Sequence, residues 1–292
     1  MQVALAAAVG CMVADPAYAH TLDRSNGSEI VYHLGPGGTT KRGALLVLQG
    51  SGCEPVIERE WLRPETAILA PDHTYVAIEK YGVIPNSSTS SYVDGCSPDY
   101  WERNTLQQRV FDALQVIAHL RSSEWWNREL VIYGGSEGGA VAALLSPLVP
   151  ETKAVVIVSS GIGVSVADLI KSAVPPPVAA KIPGIVVDAR ANPTGSKRFG
   201  GESYRWWADA ADIVPARALL ETTAPVLLIH GARDQFAPVS TARATRDLFA
   251  SRGKANLTYW EYEDFDHHLK DVRGLEHWTE VLRRAADWLA AK

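Results

Sequence analysis

Leu130-Val131-Ile132-Tyr133 runs directly into Gly134-Gly135-Ser136-Glu137-Gly138-Gly139, and a stretch rich in Ala and Leu follows at once. A short apolar run bounded by glycine suits a strand buried on both faces, and the Ala/Leu stretch suits a helix. The chain must therefore turn sharply from strand into helix with a serine at the apex. Side chains on its neighbours would clash with both elements. Gly134 and Gly138 carry none, and Gly139 lets the helix pack closely. A G-x-S-x-G pattern in that context is what presenting a serine nucleophile requires. The N-terminus of the helix also favours negative charge developing beside Ser136.

The same alternation extends along the chain. Glu29–Leu34, Ala44–Leu48, Thr74–Glu79, Ala154–Val158, Pro225–Ile229 and Leu257–Tyr262 read as further strands. Leu106, Val110, Leu114, Ile117 and Leu120 recur at three- and four-residue spacing and predict one helix from Pro98 to about Arg121. Further helices are expected from Ser240 to about Ser251 and from Leu275 to Leu289. Strands alternating with helices imply a mostly parallel central sheet flanked by helices. Residues 161–220 break the rhythm with Pro175-Pro176-Pro177, Gly200-Gly201 and Trp206-Trp207, and predict a helical lid insertion.

A serine hydroxyl is a poor nucleophile until a base takes its proton. The base and its orienting acid should come from later strand ends, in the order Ser, acid, His. Asp234 follows the Pro225–Ile229 strand, and Asp264-Phe265-Asp266-His267-His268 follows Leu257–Tyr262. The order fits, and each member falls at the same edge of the sheet. Ser136 would attack, histidine would accept and return the proton, and Asp234 would fix the tautomer.

These motifs, with His230-Gly-Ala-Arg-Asp234, Pro238 and Asp266-His267-His268-Leu269, resemble the α/β-hydrolase superfamily, nearest its prolyl-oligopeptidase and dienelactone-hydrolase branch. The resemblance spans about residue 40 to the end, apart from the insertion. It implies His267 rather than His268 as base, and Asp234 rather than Asp264 or Asp266 as its partner. It also implies an oxyanion hole from the backbone N–H of Glu137 and of Ser51, with Gly52 second to Ser51. Gln49 stands where the family commonly has the His of a His-Gly motif, and His268 where it has a small residue.

An apolar run from Val3 to Val13, followed by Ala17-Tyr18-Ala19, predicts a signal peptide over 1–19, cleaved after Ala19, and a mature domain over 20–292 in the periplasm or outside the cell. No Lys or Arg precedes the apolar run, which implies either a true start upstream of Met1 or a weak signal; a lipoprotein role for Cys11 and an apolar first helix are the rival readings. Removing the signal leaves Cys53 and Cys96, for which export makes a disulfide the expectation over two buried thiols. Trp206, Trp207 and Arg205 in the insertion are candidates for a substrate pocket, and Arg198 for recognising a carboxylate.

A net charge of −5 gives no reason to expect nucleic acid, and no later stretch is long and apolar enough to insert stably in a membrane. No metal is expected, because His20, His33, His73 and His119 are scattered without ligand spacing and the triad accounts for His267, and no nucleotide cofactor is expected, because no nucleotide fingerprint follows a strand. The expected partner is a small ester or a short acyl or peptidyl substrate; the sequence leaves the oligomeric state open. Carboxylic-ester hydrolysis through an acyl-enzyme is the leading reading. A peptidase of prolyl-oligopeptidase type, a thioesterase or acyltransferase, and a non-catalytic binding protein on the same fold are its alternatives.

Overall fold

The computed structural model describes residues 19–35, 41–56, 62–83 and 95–292. Residues 1–18 of the expected signal peptide, and most of the loop expected after the third strand, lie outside them. In chain order the elements begin with β1 (Ala19–Asp23), β2 (Glu29–Leu34), β3 (Arg42–Leu48), α1 (Leu62–Leu69) and β4 (His73–Ile78). They continue with α2 (Pro98–Arg103), α3 (Leu106–Leu120), β5 (Trp126–Gly135), α4 (Glu137–Leu145) and β6 (Thr152–Val158). Between β6 and β9 (Val226–Gly231) come α5 (Val166–Ala173), α6 (Pro176–Ala179), α7 (Ile182–Ala191), β7 (Arg198–Phe199), β8 (Glu202–Ser203), α8 (Tyr204–Ala210) and α9 (Pro215–Leu219). α10 (Val239–Ser251), β10 (Leu257–Tyr262) and α11 (Trp278–Ala290) close the chain.

The central sheet has eight strands in the order β1-β2-β4-β3-β5-β6-β9-β10. β1 and β2 are antiparallel at one edge, and all pairs from β4 to β10 are parallel. The inner strands are apolar throughout because both faces are covered, and alternate residues supply two different cores. Leu46, Leu130 and Ile132 pack with α3, α4 and α8 on one face, while Leu45, Val47 and Val131 pack with α11 on the other. After β3 and β4 are laid down in one direction, β5 adds on the opposite side of β3. This reversal of winding opens a crevice at the carboxyl ends of β3 and β5, the usual ligand position in open α/β sheets. There Leu48 is in register with Gly134, two residues before Ser136.

The helix expected from Pro98 to Arg121 is two helices. Asn104 is extended, and the Thr105 hydroxyl accepts the Gln108 N–H to start α3 afresh, a cap that competes with continued helix. The last helix begins at Trp278 rather than Leu275, because Asp271 Oδ1 holds the Arg273 and Leu275 N–H groups in a turn. Cys53 and Cys96 form a disulfide, which packs with buried Val83, Tyr100 and Trp101. No helix among the described residues is long and apolar enough to cross a membrane.

Candidate active site

Ser136 sits between β5 and α4 at φ +52°, ψ −122°. A non-glycine residue held there is strained, and its surroundings explain why it stays. A Cβ on Gly138 would lie 1.9 Å from the Leu48 carbonyl oxygen, and one on Gly134 would lie 2.3 Å from the Gly138 carbonyl oxygen. The start of α4 is thus pressed against the ends of β3 and β5, which leaves the serine side chain standing clear. The Ser136 N–H is anchored on Val158 O at 3.0 Å.

Asp234 and His267 meet as the sequence order requires. His267 Nδ1 lies 2.7 Å from Asp234 Oδ2. Asp234 Oδ1 accepts the Phe236 and Ala237 N–H groups, both at 2.8 Å. These bonds fix the carboxylate in one orientation, and in the neutral imidazole a proton held on Nδ1 by it leaves the Nε2 lone pair for a second partner. Behind the acid lies fully buried His230, whose Nε2–H donates to Ala237 O at 2.7 Å and lies 3.5 Å from Asp234 Oδ2. Burial pushes the His230 pKa down, favouring the neutral ring. The exposed ring of Phe236 rests on His267, with centroids 5.2 Å apart.

Ser136 and His267 line one cavity of about 730 Å³, walled largely by Leu106, Ile162, Val166, Leu169 and Ile170. The size and apolar lining suit a small organic ligand. Among the described residues no hydrogen bond closes between Ser136 Oγ and His267. Hydrogen bonds of this kind are commonly long without substrate.

The loop after β3 borders the nucleophile: a Cβ on Gly50 would lie 3.3 Å from Ser136 Cβ. Two buried cations hold its carbonyls. Lys80 Nζ donates to Gly50 O and Gly52 O, both at 2.5 Å, and Arg109 donates to Gln49 O at 2.6 Å. Because the amide group is planar and trans, fixing Gly50 O on Lys80 aims the Ser51 N–H the opposite way. Arg109 also donates to Glu137 Oε1 at 2.6 Å, while Trp206 Nε1 donates to Glu137 Oε2 at 3.2 Å. One guanidinium therefore ties the glycine-rich loop to the residue after Ser136, so the two segments carrying the expected oxyanion donors are braced together. Sequence reading missed Lys80 and Arg109; their pattern gives no signal, since a cation on an amphipathic helix or after a strand ordinarily faces water.

Ser51 and Glu137 line the cavity; Gly52, at φ +91°, does not. Of the three pocket candidates between β6 and β9, Trp206 lines it. Trp207 is fully buried with its Nε1–H donated to Phe199 O, and Arg205 is exposed away from the cavity lining. Adjacent residues on a helix point about 100° apart, so only one of the two indoles can face the cavity. Arg198 stacks on Trp101 at 3.9 Å. Glu202, which sequence reading also missed, is buried and lines the cavity. Among the described residues no group of three His, Cys, Asp or Glu side chains is placed to hold a metal ion.

No protein-family model matches the sequence, and no curated protein does either. Solved structures do match. Est1E from Butyrivibrio proteoclasticus aligns with a TM-score of 0.61 at 15% identity over 94% of this chain and 100% of its own. A puromycin-hydrolyzing peptidase of Mycobacterium tuberculosis gives 0.65 at 17% identity over 94% of this chain, which spans only 38% of that protein. Alpha/beta hydrolase domain-containing protein 10 from mouse gives 0.57 at 16% identity, covering 94% of this chain and 98% of its own. At such identities likeness establishes architecture, and the sheet order, the strained serine turn and the placement of the crevice agree with it: this chain has the α/β-hydrolase fold.

Proposed function

We propose that the protein is a serine hydrolase that cleaves carboxylic esters through an acyl-enzyme. The observation that carries this reading is the 2.7 Å contact of Asp234 Oδ2 with His267 Nδ1 at the rim of the cavity that Ser136 also lines. In the proposed reaction His267 Nε2 takes the Ser136 hydroxyl proton as Oγ bonds to the ester carbonyl carbon. The resulting oxyanion is received by the N–H groups of Glu137 and Ser51, each such donor being worth about 3–4 kcal/mol. Collapse breaks the bond to the alcohol oxygen, which takes the proton from His267. Water then repeats the sequence and releases the acid.

The orientation of the Ser51 peptide by Lys80 supports Ser51 over Gly52 as the second donor. Esters are favoured over peptides because Est1E, aligned over its entire length, binds ferulic acid, a carboxylic acid with no amino group. The disulfide agrees with an oxidising compartment, and we infer export with cleavage after Ala19.

The test is labelling with a fluorophosphonate probe, paired with rates on matched p-nitrophenyl ester and aminoacyl-anilide substrates. Wild type should be labelled and Ser136→Ala should not, and the ester should be the faster substrate. Labelling that survives in Ser136→Ala would put the nucleophile elsewhere; faster anilide cleavage would make the protein a peptidase.

A further inference from the structure

Among the described residues, Glu202 is the one cavity-lining acid that the proposed reaction does not use. It lies in β8, is only 8% exposed, and faces the cavity with Trp206 and Gly200. Among the described residues its carboxyl has no hydrogen-bond or ion-pair partner. An unpartnered buried acid is costly, and such groups concentrate where a ligand completes them. Its charged surroundings come from three elements: Glu137 at the start of α4, Lys80 just after β4 and Arg109 on α3. Burial first, then Glu137, raises the Glu202 pKa well above the ordinary carboxylate range, against the opposing pull of Lys80 and Arg109. These surroundings favour the protonated carboxyl, which has one O–H to donate and one carbonyl to accept.

We propose that Glu202 is a specificity-determining residue that binds an uncharged oxygen, a hydroxyl foremost, on an otherwise apolar substrate. The substrate class that follows is an ester whose acyl part has an apolar body and a neutral hydroxyl remote from the carbonyl; this rests on the ester-hydrolase reading above. Charge selects the head group. An ammonium entering here meets Lys80 and Arg109, and a carboxylate meets Glu137. A hydroxyl meets neither repulsion and satisfies both functions of the acid, while the aliphatic walls accept the rest of the group. One hydrogen bond of this kind amounts to about a tenfold preference.

The experiment compares kcat/KM of the full chain on three p-nitrophenyl esters: 3-phenylpropanoate, its 4-hydroxyphenyl analogue and its 4-aminomethylphenyl analogue. Wild type should prefer the hydroxylated ester to its parent about tenfold, mainly through KM, and should disfavour the ammonium ester. Glu202→Gln, which keeps a donor and an acceptor, should hold that ratio within about threefold, and Glu202→Leu should bring it to about one. An undiminished ratio in Glu202→Leu, or preference for the ammonium ester, would overturn the proposal. Calorimetric binding of 3-(4-hydroxyphenyl)propanamide and 3-phenylpropanamide to Ser136→Ala and Ser136→Ala/Glu202→Leu separates this from the hydrolase reading. A hydroxyl preference lost with Glu202 upholds the subsite even if no ester is cleaved. Equal binding by both variants overturns it.

Discussion

Replacing Arg109 with Met should damage catalysis more persistently than it damages folding. The side chain is buried and makes two 2.6 Å charge-assisted bonds, one to Glu137 Oε1 and one to Gln49 O. Each is worth roughly 1.5–3 kcal/mol, and stranding a buried partner charge typically costs about 3–5 kcal/mol in all. Glu137 would keep the Trp206 indole N–H at 3.2 Å and Lys80 at 4.0 Å, so the lower half of that range is expected. Losing one oxyanion donor outright costs about 10²–10³ in kcat. Lys80 still holds Gly50 O and Gly52 O, so the Ser51 N–H should be loosened rather than lost, and kcat should fall about 10- to 100-fold with KM changing little. Stability is read from urea unfolding and rate from a p-nitrophenyl ester. In Arg109→Met/Glu137→Met the stranded charge is gone, so stability should recover while kcat stays low. If kcat of Arg109→Met stays within about threefold of wild type, or returns with stability in the double variant, the bracing argument is wrong.

Gly138→Ala places a Cβ against the Leu48 carbonyl; it should cost about 1–3 kcal/mol by chemical denaturation and lower kcat as α4 is pushed from the loop after β3. Breaking the Cys53–Cys96 bridge, whose cysteines are 43 residues apart, in Cys53→Ser/Cys96→Ser should destabilise by up to about 4 kcal/mol on chain entropy alone, seen as a lower thermal midpoint; an unchanged midpoint and rate would leave the bridge without a role. Burial lowers the His230 pKa, so the unfolded chain binds more protons just below its ordinary value of 6.5, and stability should fall as pH drops through and below that value; denaturation midpoints of His230→Gln should show a shallower acid dependence. Glu202 has the opposite sign: its raised pKa makes the folded chain bind the extra proton, so its contribution is complete below the ordinary 4.5 and is lost as pH rises above it. Glu202→Gln should consequently unfold at a higher denaturant concentration than wild type at neutral pH, with the gain vanishing near pH 4.

The sheet was legible because its inner strands are apolar on both faces, so Leu130–Ile132 and Ala154–Val158 announce themselves without any partner in view. β1 was not: Ala19–Asp23 is short, largely exposed and held by pairing with β2, information that lies in the neighbour. The break before α3 was hidden because Leu106 continues the apolar face while Thr105 quietly caps a new helix. At the site, the residues on strand-end loops could be found from order and context. Those that support them from beneath could not, because Arg109 and Lys80 serve through their distance to carbonyls, and Glu202 through burial, none of which has a sequence period. The Trp206-Trp207 pair shows the same limit, since composition marks both indoles and only helix phase separates them.

The candidate bond-making groups all stand at the ends of sheet strands, whereas Glu202 and Trp206 belong to the chain between β6 and β9. On the proposed reading, reactivity and selectivity are encoded in separate stretches of one polypeptide, and the second can drift without endangering the first. If the protein is the ester hydrolase proposed, mutagenesis confined to the β6–β9 excursion is the natural way to redirect which acyl groups it takes, since the scaffold beneath would be inherited intact.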